Sequence, residues 1–383
     1  MQPLFYEDLS LIGFIIVLFS IVYSLIAIKC LSSLRRSSSP HSTLPPVTML
    51  KPVCGLDADL YQNLSTFCQQ DYPEYQIIFG VREDTDPAIP IIEKLIRDFP
   101  DVDIELLIND HMAGSNHKIS NIINMYHKVK HNLLVISDSD MRVCKDYLRN
   151  VTAPFENPQV GAVTCLYKGV PATVGLASRL GTIYINEWFL PSVLVSKTLQ
   201  EVKFCFGATM AVRKELLEKI GGFEHLASFL ADDYMLGRLI NQLGYKVVLS
   251  KYIVNNIVEE SDIKSLFSHE LRWARTIRTV QPIGYTFSFL THTFPLSILY
   301  CTISPSLALS TSVIFTAFFL RLRLHNVARR SLDIHGPSTP VLILLRDILS
   351  FLVWATSFFG RNVYWRQNNF SIQANGQMAI KES

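Results

Sequence analysis

Leu133-Leu-Val-Ile-Ser-Asp-Ser-Asp140 is the stretch whose reading decides the fold. Its four apolar residues, β-branched at Val135 and Ile136, read as a buried strand. The strand runs into a polar turn that carries Asp138 and Asp140. Open α/β sheets bind ligands just outside the carboxyl ends of their strands, so the two carboxylates fall where a ligand site is expected. Hard oxygen donors of this kind suit Mg²⁺ or Mn²⁺, which commonly bridge to substrate phosphates. An Asp-x-Asp pair also arises by chance in solvated loops, so its meaning depends on its surroundings.

On both sides of this stretch, short apolar runs alternate with helical periods. Val47–Val53, Gln76–Val81, Ile104–Ile108 and Val160–Cys165 read as further strands, and Asp57–Cys68, Pro87–Phe99 and Lys118–Val129 as the helices between them. Such alternation predicts an α/β domain with a mostly parallel sheet. Phe204–Val212 and Lys246–Leu249 add strands, and Ala231–Leu243 reads as a helix stopped by Gly244. Asp262–Arg278 reads as an amphipathic helix with Asp262 at its cap and a cluster of Arg272, Arg275 and Arg278. Gly169–Ser196 is aromatic-rich and fits either an insert facing a membrane or acceptor, or ordinary helical core.

Composition bounds what surrounds this domain. The chain has 383 residues, 49% hydrophobic and 18% charged, with mean hydropathy +0.24. A soluble domain joined to a few membrane spans satisfies both figures. A net charge of +2 gives no basic field for nucleic acid. The seven cysteines are scattered without a Cys-x-x-Cys, which argues against a disulfide framework or zinc site.

Leu9–Leu31 is apolar and long enough to cross roughly 30 Å of hydrocarbon. Lys29, Arg35 and Arg36 follow it, so the positive-inside rule puts the next segment in the cytoplasm. Ser32–Pro46, rich in Ser and Pro, is expected to be a tether before a domain over 47–280. From Ile283 the chain turns apolar again: Ile283–Ile303 and Leu307–Leu320 are runs broken by Ser304-Pro305. A basic loop is expected near 321–338, carrying Arg321, Arg323, Arg329 and Arg330. Val341–Phe359 is a last apolar segment, with Arg346 and Asp347 placed at an interface or paired with neighbouring helices. Residues 361–383 are expected to be a tail.

Four polar groups fall at the ends of apolar elements. Glu83 and Asp84 follow Gln76–Val81, where a carboxylate could hold a nucleotide base or ribose; Asp86 before Pro87 reads better as a helix cap. Lys118 opens a helix, where it and the helix amino terminus favour an anion. Asp138 and Asp140 are the third group. Asp232 and Asp233 begin the fourth element, and a carboxylate at a helix amino terminus suits a general base; Asp232 reads as the cap, leaving Asp233 available. Downstream, Arg272 suits a diphosphate and Trp273 a sugar face or lipid interface.

Together these pieces resemble the ceramide glucosyltransferase family and its bacterial relatives in hopanoid biosynthesis. The resemblance covers nearly the whole chain: Leu50-Lys-Pro-Val-Cys-Gly55, Gln69-Gln-Asp-Tyr-Pro73, Asp86-Pro87-Ala88, the strand ending at Asp138, Gly221-Gly-Phe223, Ala231-Asp-Asp-Tyr234, Arg272-Trp273, Leu345-Arg-Asp-Ile348 and Val363-Tyr-Trp-Arg366. It implies a membrane-bound, inverting enzyme with the GT-A fold, a UDP-sugar donor of glucose or N-acetylglucosamine, a membrane-lipid acceptor of ceramide or hopanoid polyol type, and a divalent metal, Mg or Mn. It implies donor-binding roles for Glu83 or Asp84 and for Asp138, beside the donor-binding role that Lys118 is given by its place at a helix start. Metal ligation is implied at Asp138 and Asp140, and catalytic roles at Asp233, Arg272 and Trp273. The family's pentapeptide begins with Gln or Arg, whereas this chain has His269. A processive polysaccharide synthase shares these motifs but needs a longer helical channel, and an inactive scaffold is at odds with the full set of acids.

Overall fold

The structure is a computed structural model. It describes residues 2–34, 43–335, 340–365, 368–373 and 376–380. Most of the expected tether, residues 35–42, lies outside the described residues. The chain divides into two units, 36–174 with 201–259 and 362–383, and 1–35 with 175–200 and 260–361.

The first unit is built on a mixed, mostly parallel sheet. Its strands are β1 (Val47–Pro52), β2 (Tyr75–Val81), β3 (Asp103–Ile108), β4 (Leu133–Ile136), β5 (Met141–Arg142), β6 (Val160–Pro171), β7 (Met210–Arg213) and β8 (Lys246–Val258). The spatial order is β3-β2-β1-β4-β7-β6-β8-β5. β1, β2, β3 and β4 run parallel to one another, as do β6 and β8, while β7 is antiparallel to both β4 and β6. β1 and β4 are buried throughout, which explains their continuous apolar runs. Leu64, Phe67, Leu95 and Tyr147 cover one face, and Ile119, Ile122, Met125, Leu236 and Ile240 the other. β1 has β2 on one flank and β4 on the other, so the strand order reverses there and opens a crevice at the carboxyl ends.

The expected strand over Phe204–Val212 is shorter than the apolar pattern implies. Only Met210–Arg213 forms β7, and a turn at Gly207-Ala208 is closed by a bridge between Phe206 and Thr209. Within the expected tail, 361–383, strands stand among the described residues. They form a three-stranded antiparallel sheet of β9 (Asn362–Trp365), β10 (Asn368–Ile372) and β11 (Met378–Ile380).

The second unit is helical. Among the described residues, three helices are long and apolar enough to cross a membrane: Glu7–Ser32, Leu307–Ser331 and Pro340–Ser357. The run 283–303 is not one helix but Pro282–Phe287, a 3-10 turn over Ser288–Thr291, and Thr293–Ile303. The basic loop expected near 321–338 is absent over 321–331, where the helix from Leu307 continues through Arg321, Arg323, Arg329 and Arg330 to Ser331. The reason is charge pairing. Arg321 Nη1 lies 2.7 Å from Glu187 Oε2, and its Nε lies 2.8 Å from Asp347 Oδ1. His325 Nδ1 bonds the other Glu187 oxygen at 2.7 Å. Residues 336–339 of that expected loop lie outside the described residues. The expected 47–280 domain is likewise split, because 175–200 and 260–280 pack with the helices.

Arg346 and Asp347 pair with neighbouring helical segments. The Arg346 guanidinium donates to both Glu270 oxygens, at 2.8 and 2.7 Å, with both side chains almost fully buried. Removing one partner of such a pair leaves an uncompensated buried charge, at a cost of about 3–5 kcal/mol. Arg346→Met is therefore expected to lower the thermal-aggregation midpoint of detergent-solubilised protein steeply, and Arg346→Met with Glu270→Leu to recover most of the loss. A single variant as stable as the wild type would contradict this.

Candidate active site

Three side chains converge on one glycine. A Cβ placed on Gly207 would lie 3.4 Å from Asp138 Oδ2, 3.4 Å from Asp233 Oδ2 and 3.6 Å from Lys118 Nζ. Each arrives on a different element for a local reason. Asp138 follows β4, where Ser137 N donates to the Leu50 carbonyl and continues the sheet for one residue. Lys118 is in the first turn of the helix His117–Tyr126, capped by Asn116, whose Oδ1 accepts from Ile119 N. Asp233 opens the helix Asp232–Gln242. That helix sits directly on the backbone of Phe204 and Cys205, because Gly237 carries no side chain there; a Cβ would come within 2.5 Å of both residues.

The charges are unevenly matched. Lys118 Nζ is 2.6 Å from Asp138 Oδ1 and 3.8 Å from Asp232 Oδ2. Burial opposes the Lys118 charge, yet Asp138, Asp232 and Asp233 hold its ammonium above the ordinary lysine range. Asp233 is pushed up to about 7, first by burial and then by the neighbouring Asp232 charge. Asp232 does not cap its helix as the sequence suggested. The N-cap is Ala231, and Asp232 Oδ1 instead accepts from Asn116 Nδ2 at 3.2 Å. Among the described residues the buried Asp232 Oδ2 has no hydrogen-bond partner, and the Lys118 ammonium lies 3.8 Å from it.

A second tier lies behind Asp138. Lys51, at the end of β1, is fully buried and donates to the Asp138 carbonyl at 2.5 Å, with its ammonium 3.6 Å from the centre of the Phe67 ring. Burial pulls Lys51 down to about 7 against the charges of Asp138, Asp140 and Asp57. Asp140 Oδ2 accepts from Asn256 Nδ2 at 2.7 Å, and Ser139 donates its hydroxyl to Asp57. Burial, with Asp138 and Asp57 next, raises Asp140 to about 8.

The donor set fits a divalent cation of one kind. Among the described residues no three His, Cys, Asp or Glu side chains form a ready cage. Mg²⁺-type sites need none, since one or two carboxylates usually hold the ion together with substrate phosphates. Asp138 Oδ2 faces the open cradle at Gly207, and the crowding of Asp57, Asp138 and Asp140 is the charge excess that a cation relieves.

The remaining expected residues divide as follows. Glu83 and Asp84 are exposed in the turn after β2. Asp86 is structural: its carboxylate accepts from Gly55 N and Ala88 N. Arg272 and Trp273 lie on the helix Ile263–Val280 of the helical unit, capped by Asp262 as the sequence implied. Trp273 stacks on Tyr184 at 6.2 Å between centroids and meets His269 at 4.3 Å. His269 Nδ1 bonds Glu260 Oε1 at 2.5 Å. Sequence reasoning missed Lys51, Asp57, Asn116, Gly207 and Asn256. A lysine inside an otherwise apolar strand was the one usable signal, at Lys51.

Residues 12–378 match the family described as Glycosyl transferase family 21. Ceramide glucosyltransferase 3 of Caenorhabditis elegans is 24% identical over 380 residues, covering 97% of this chain and 82% of that relative. Ceramide glucosyltransferase of Komagataella phaffii is 32% identical over 204 residues, covering 48% of this chain and 40% of that relative. A solved mannosyltransferase from Pyrobaculum calidifontis, in complex with GDP-Man and Mn²⁺, superposes with a TM-score of 0.54 at 17% identity. The match covers 92% of this chain and 99% of that one. At that identity the likeness speaks to the fold, which is GT-A-like.

Proposed function

We infer, for a chain that belongs to glycosyl transferase family 21 and is thereby a glycosyltransferase, that it moves a hexose from a UDP-sugar to the hydroxyl of a ceramide-type membrane lipid with inversion. The observation that carries this reading is the convergence of Asp138, Lys118 and Asp233 on the unfilled space at Gly207. Relatives named ceramide glucosyltransferase favour glucose as the sugar and ceramide as the acceptor. The hopanoid polyols and N-acetylglucosamine that the sequence resemblance also admits remain arms of the test.

In this mechanism the acceptor oxygen attacks the anomeric carbon as the bond from that carbon to the diphosphate oxygen breaks. The hydroxyl proton passes to the Asp233 carboxylate, and the electron pair leaves on the nucleoside diphosphate. One displacement from an α-linked donor gives a β-glycoside. Lys118 offers its ammonium to the departing diphosphate. A divalent cation held by Asp138 and Asp140 together with the donor phosphates would supply further neutralisation of that charge. Glu83 or Asp84 is assigned to the nucleoside, Arg272 to the diphosphate and Trp273 to the acceptor. The catalytic unit faces the cytoplasm, following the basic residues after the first apolar helix.

The test is incubation of purified protein in lipid with UDP-glucose or UDP-N-acetylglucosamine and with ceramide or a hopanoid polyol, the product's anomeric configuration being read by NMR. A β-linked glucosylceramide is expected. An α-linked product would overturn the single displacement, and transfer only to a different lipid class would overturn the acceptor.

The acid side of the pH profile follows from Asp233. A base works ionised, and this one has its midpoint raised to about 7, with burial the largest cause. The rate kcat/KM is therefore expected to climb as pH rises toward 7 and to fall about tenfold per unit well below it. A profile flat from pH 5 to 8 would remove Asp233 from this role.

A further inference from the structure

Two loops set the starts of the helices that carry Lys118 and Asp233. They are Ala113–Asn116 and Ala227–Ala231. They are bonded to each other: Asn116 N donates to the Ala227 carbonyl at 2.8 Å, and Asn116 Nδ2 donates to the Phe229 carbonyl at 2.8 Å. Gly114 allows this approach, since a Cβ there would lie 2.5 Å from the Ala227 oxygen. A third partner holds both loops. Met378 N donates to the Ser228 carbonyl at 2.8 Å, while the Met378 carbonyl accepts from Ser115 Oγ at 3.1 Å. Leu230 N donates to the Gly376 carbonyl at 3.3 Å, and Phe229 pairs with Gln377. Behind them Leu230 joins Val363, Phe370, Ile372 and Met378 in a small apolar cluster, and Phe370 meets the edge of His117. One residue of β11 therefore bonds, through its two backbone groups, to the loop before Lys118 and to the loop before Asp233.

We propose that the carboxyl-terminal sheet is a positioning element of the active site, a clasp in which Met378 fixes the spacing between the Lys118 and Asp233 helices. This deepens the functional reading above and rests on it. The eight-stranded core does not depend on the clasp, because its β1, β2 and β4 make their ladders with one another and with β3 and β7. The clasp touches neither substrate nor reacting atoms, so Met378 acts through the two helices.

Met378→Pro removes the donated N–H and keeps an apolar side chain. Met378→Leu keeps the N–H, and Ser115→Ala removes only the second bond. Expected for Met378→Pro are at least a tenfold fall in kcat per UDP-binding molecule and a raised donor KM. Hydrogen exchange is expected to quicken at Ile119–Asn121 and Asp233–Leu236, with β1, β2 and β4 still protected. Ser115→Ala should move the same quantities two- to fivefold, and Met378→Leu should restore them. Wild-type kcat and donor KM in Met378→Pro would overturn the proposal. So would lost protection across the whole sheet with normal constants in the surviving molecules, which would mark the clasp as a fold-stabilising strap only. A wild-type protein that transfers to no lipid would sink the functional reading instead, while the exchange result at the two helix starts would still decide the clasp.

Discussion

Asp233→Asn is expected to bind UDP-sugar with near-normal affinity and to transfer sugar about 10²–10⁴-fold more slowly, the usual contribution of a positioned general base. The amide keeps the size and the oxygen that accepts from Tyr234 N at 2.7 Å, so the helix start is preserved. What is lost is the capacity to take a proton. The amide is also neutral, which relieves the crowding with Asp232 that, after burial, raises the acid. The variant should therefore be at least as stable as the wild type at neutral pH, which separates lost catalysis from lost fold. Titration calorimetry with UDP, a thermal melt and a timed lipid-glycoside assay check the three parts. Turnover within threefold of the wild type would reject Asp233 as the base and turn attention to Asp138.

Gly207→Ala is the second large effect, and it probes space rather than charge. The added methyl would sit at ordinary van der Waals distance, 3.4–3.6 Å, from Asp138, Asp233 and Lys118, so nothing has to move. Gly207 is not among the residues with a left-handed backbone, and alanine there carries no conformational strain. Stability should change by under about 1 kcal/mol and in the favourable direction, because alanine narrows the unfolded ensemble. The methyl nevertheless occupies the point on which the three charged groups converge. A reacting group displaced by about an ångström loses on the order of 10²-fold in rate. Transfer is expected to fall by about that factor with the melting temperature unchanged. An active Gly207→Ala would mean that the space is solvent and that the chemistry takes place elsewhere.

The fold was legible wherever burial made sequence monotonous. β1, β2 and β4 are covered on both faces, so their apolar runs announced parallel strands, and the acids at the end of β4 followed. The site was legible where one chain segment supplies both the element and the charge, as at Lys118, Asp138 and Asp233. It was illegible where function rests on a backbone group or on a missing side chain. Gly207 sits in an apolar run that reads as strand, and only the approach of three other segments gives its bare Cα a meaning. Lys51 shows in the sequence as a charge inside a buried strand, but the Asp138 carbonyl through which it works does not. Arg321 reads as part of a loop because a charge ends an apolar run in linear sequence. Its two carboxylate partners lie 134 and 26 residues away, and they make a helix the lower-energy solution. The carboxyl-terminal strands gave no periodicity long enough to register, since each is five residues or fewer.

The link from Arg321 to Glu187 and Asp347 also constrains how the protein is made. A lone arginine at the centre of a membrane helix costs about 2.5–3.5 kcal/mol to insert. Glu187 is synthesised before Arg321, but Asp347 is carried by a helix that leaves the ribosome afterwards. Until that helix is in place, the guanidinium holds one carboxylate of its two. The helix from Leu307 is therefore only half neutralised until the helix from Pro340 arrives and completes the pairing. A chain ending before Pro340 would leave the Arg321 cation with Glu187 but without Asp347.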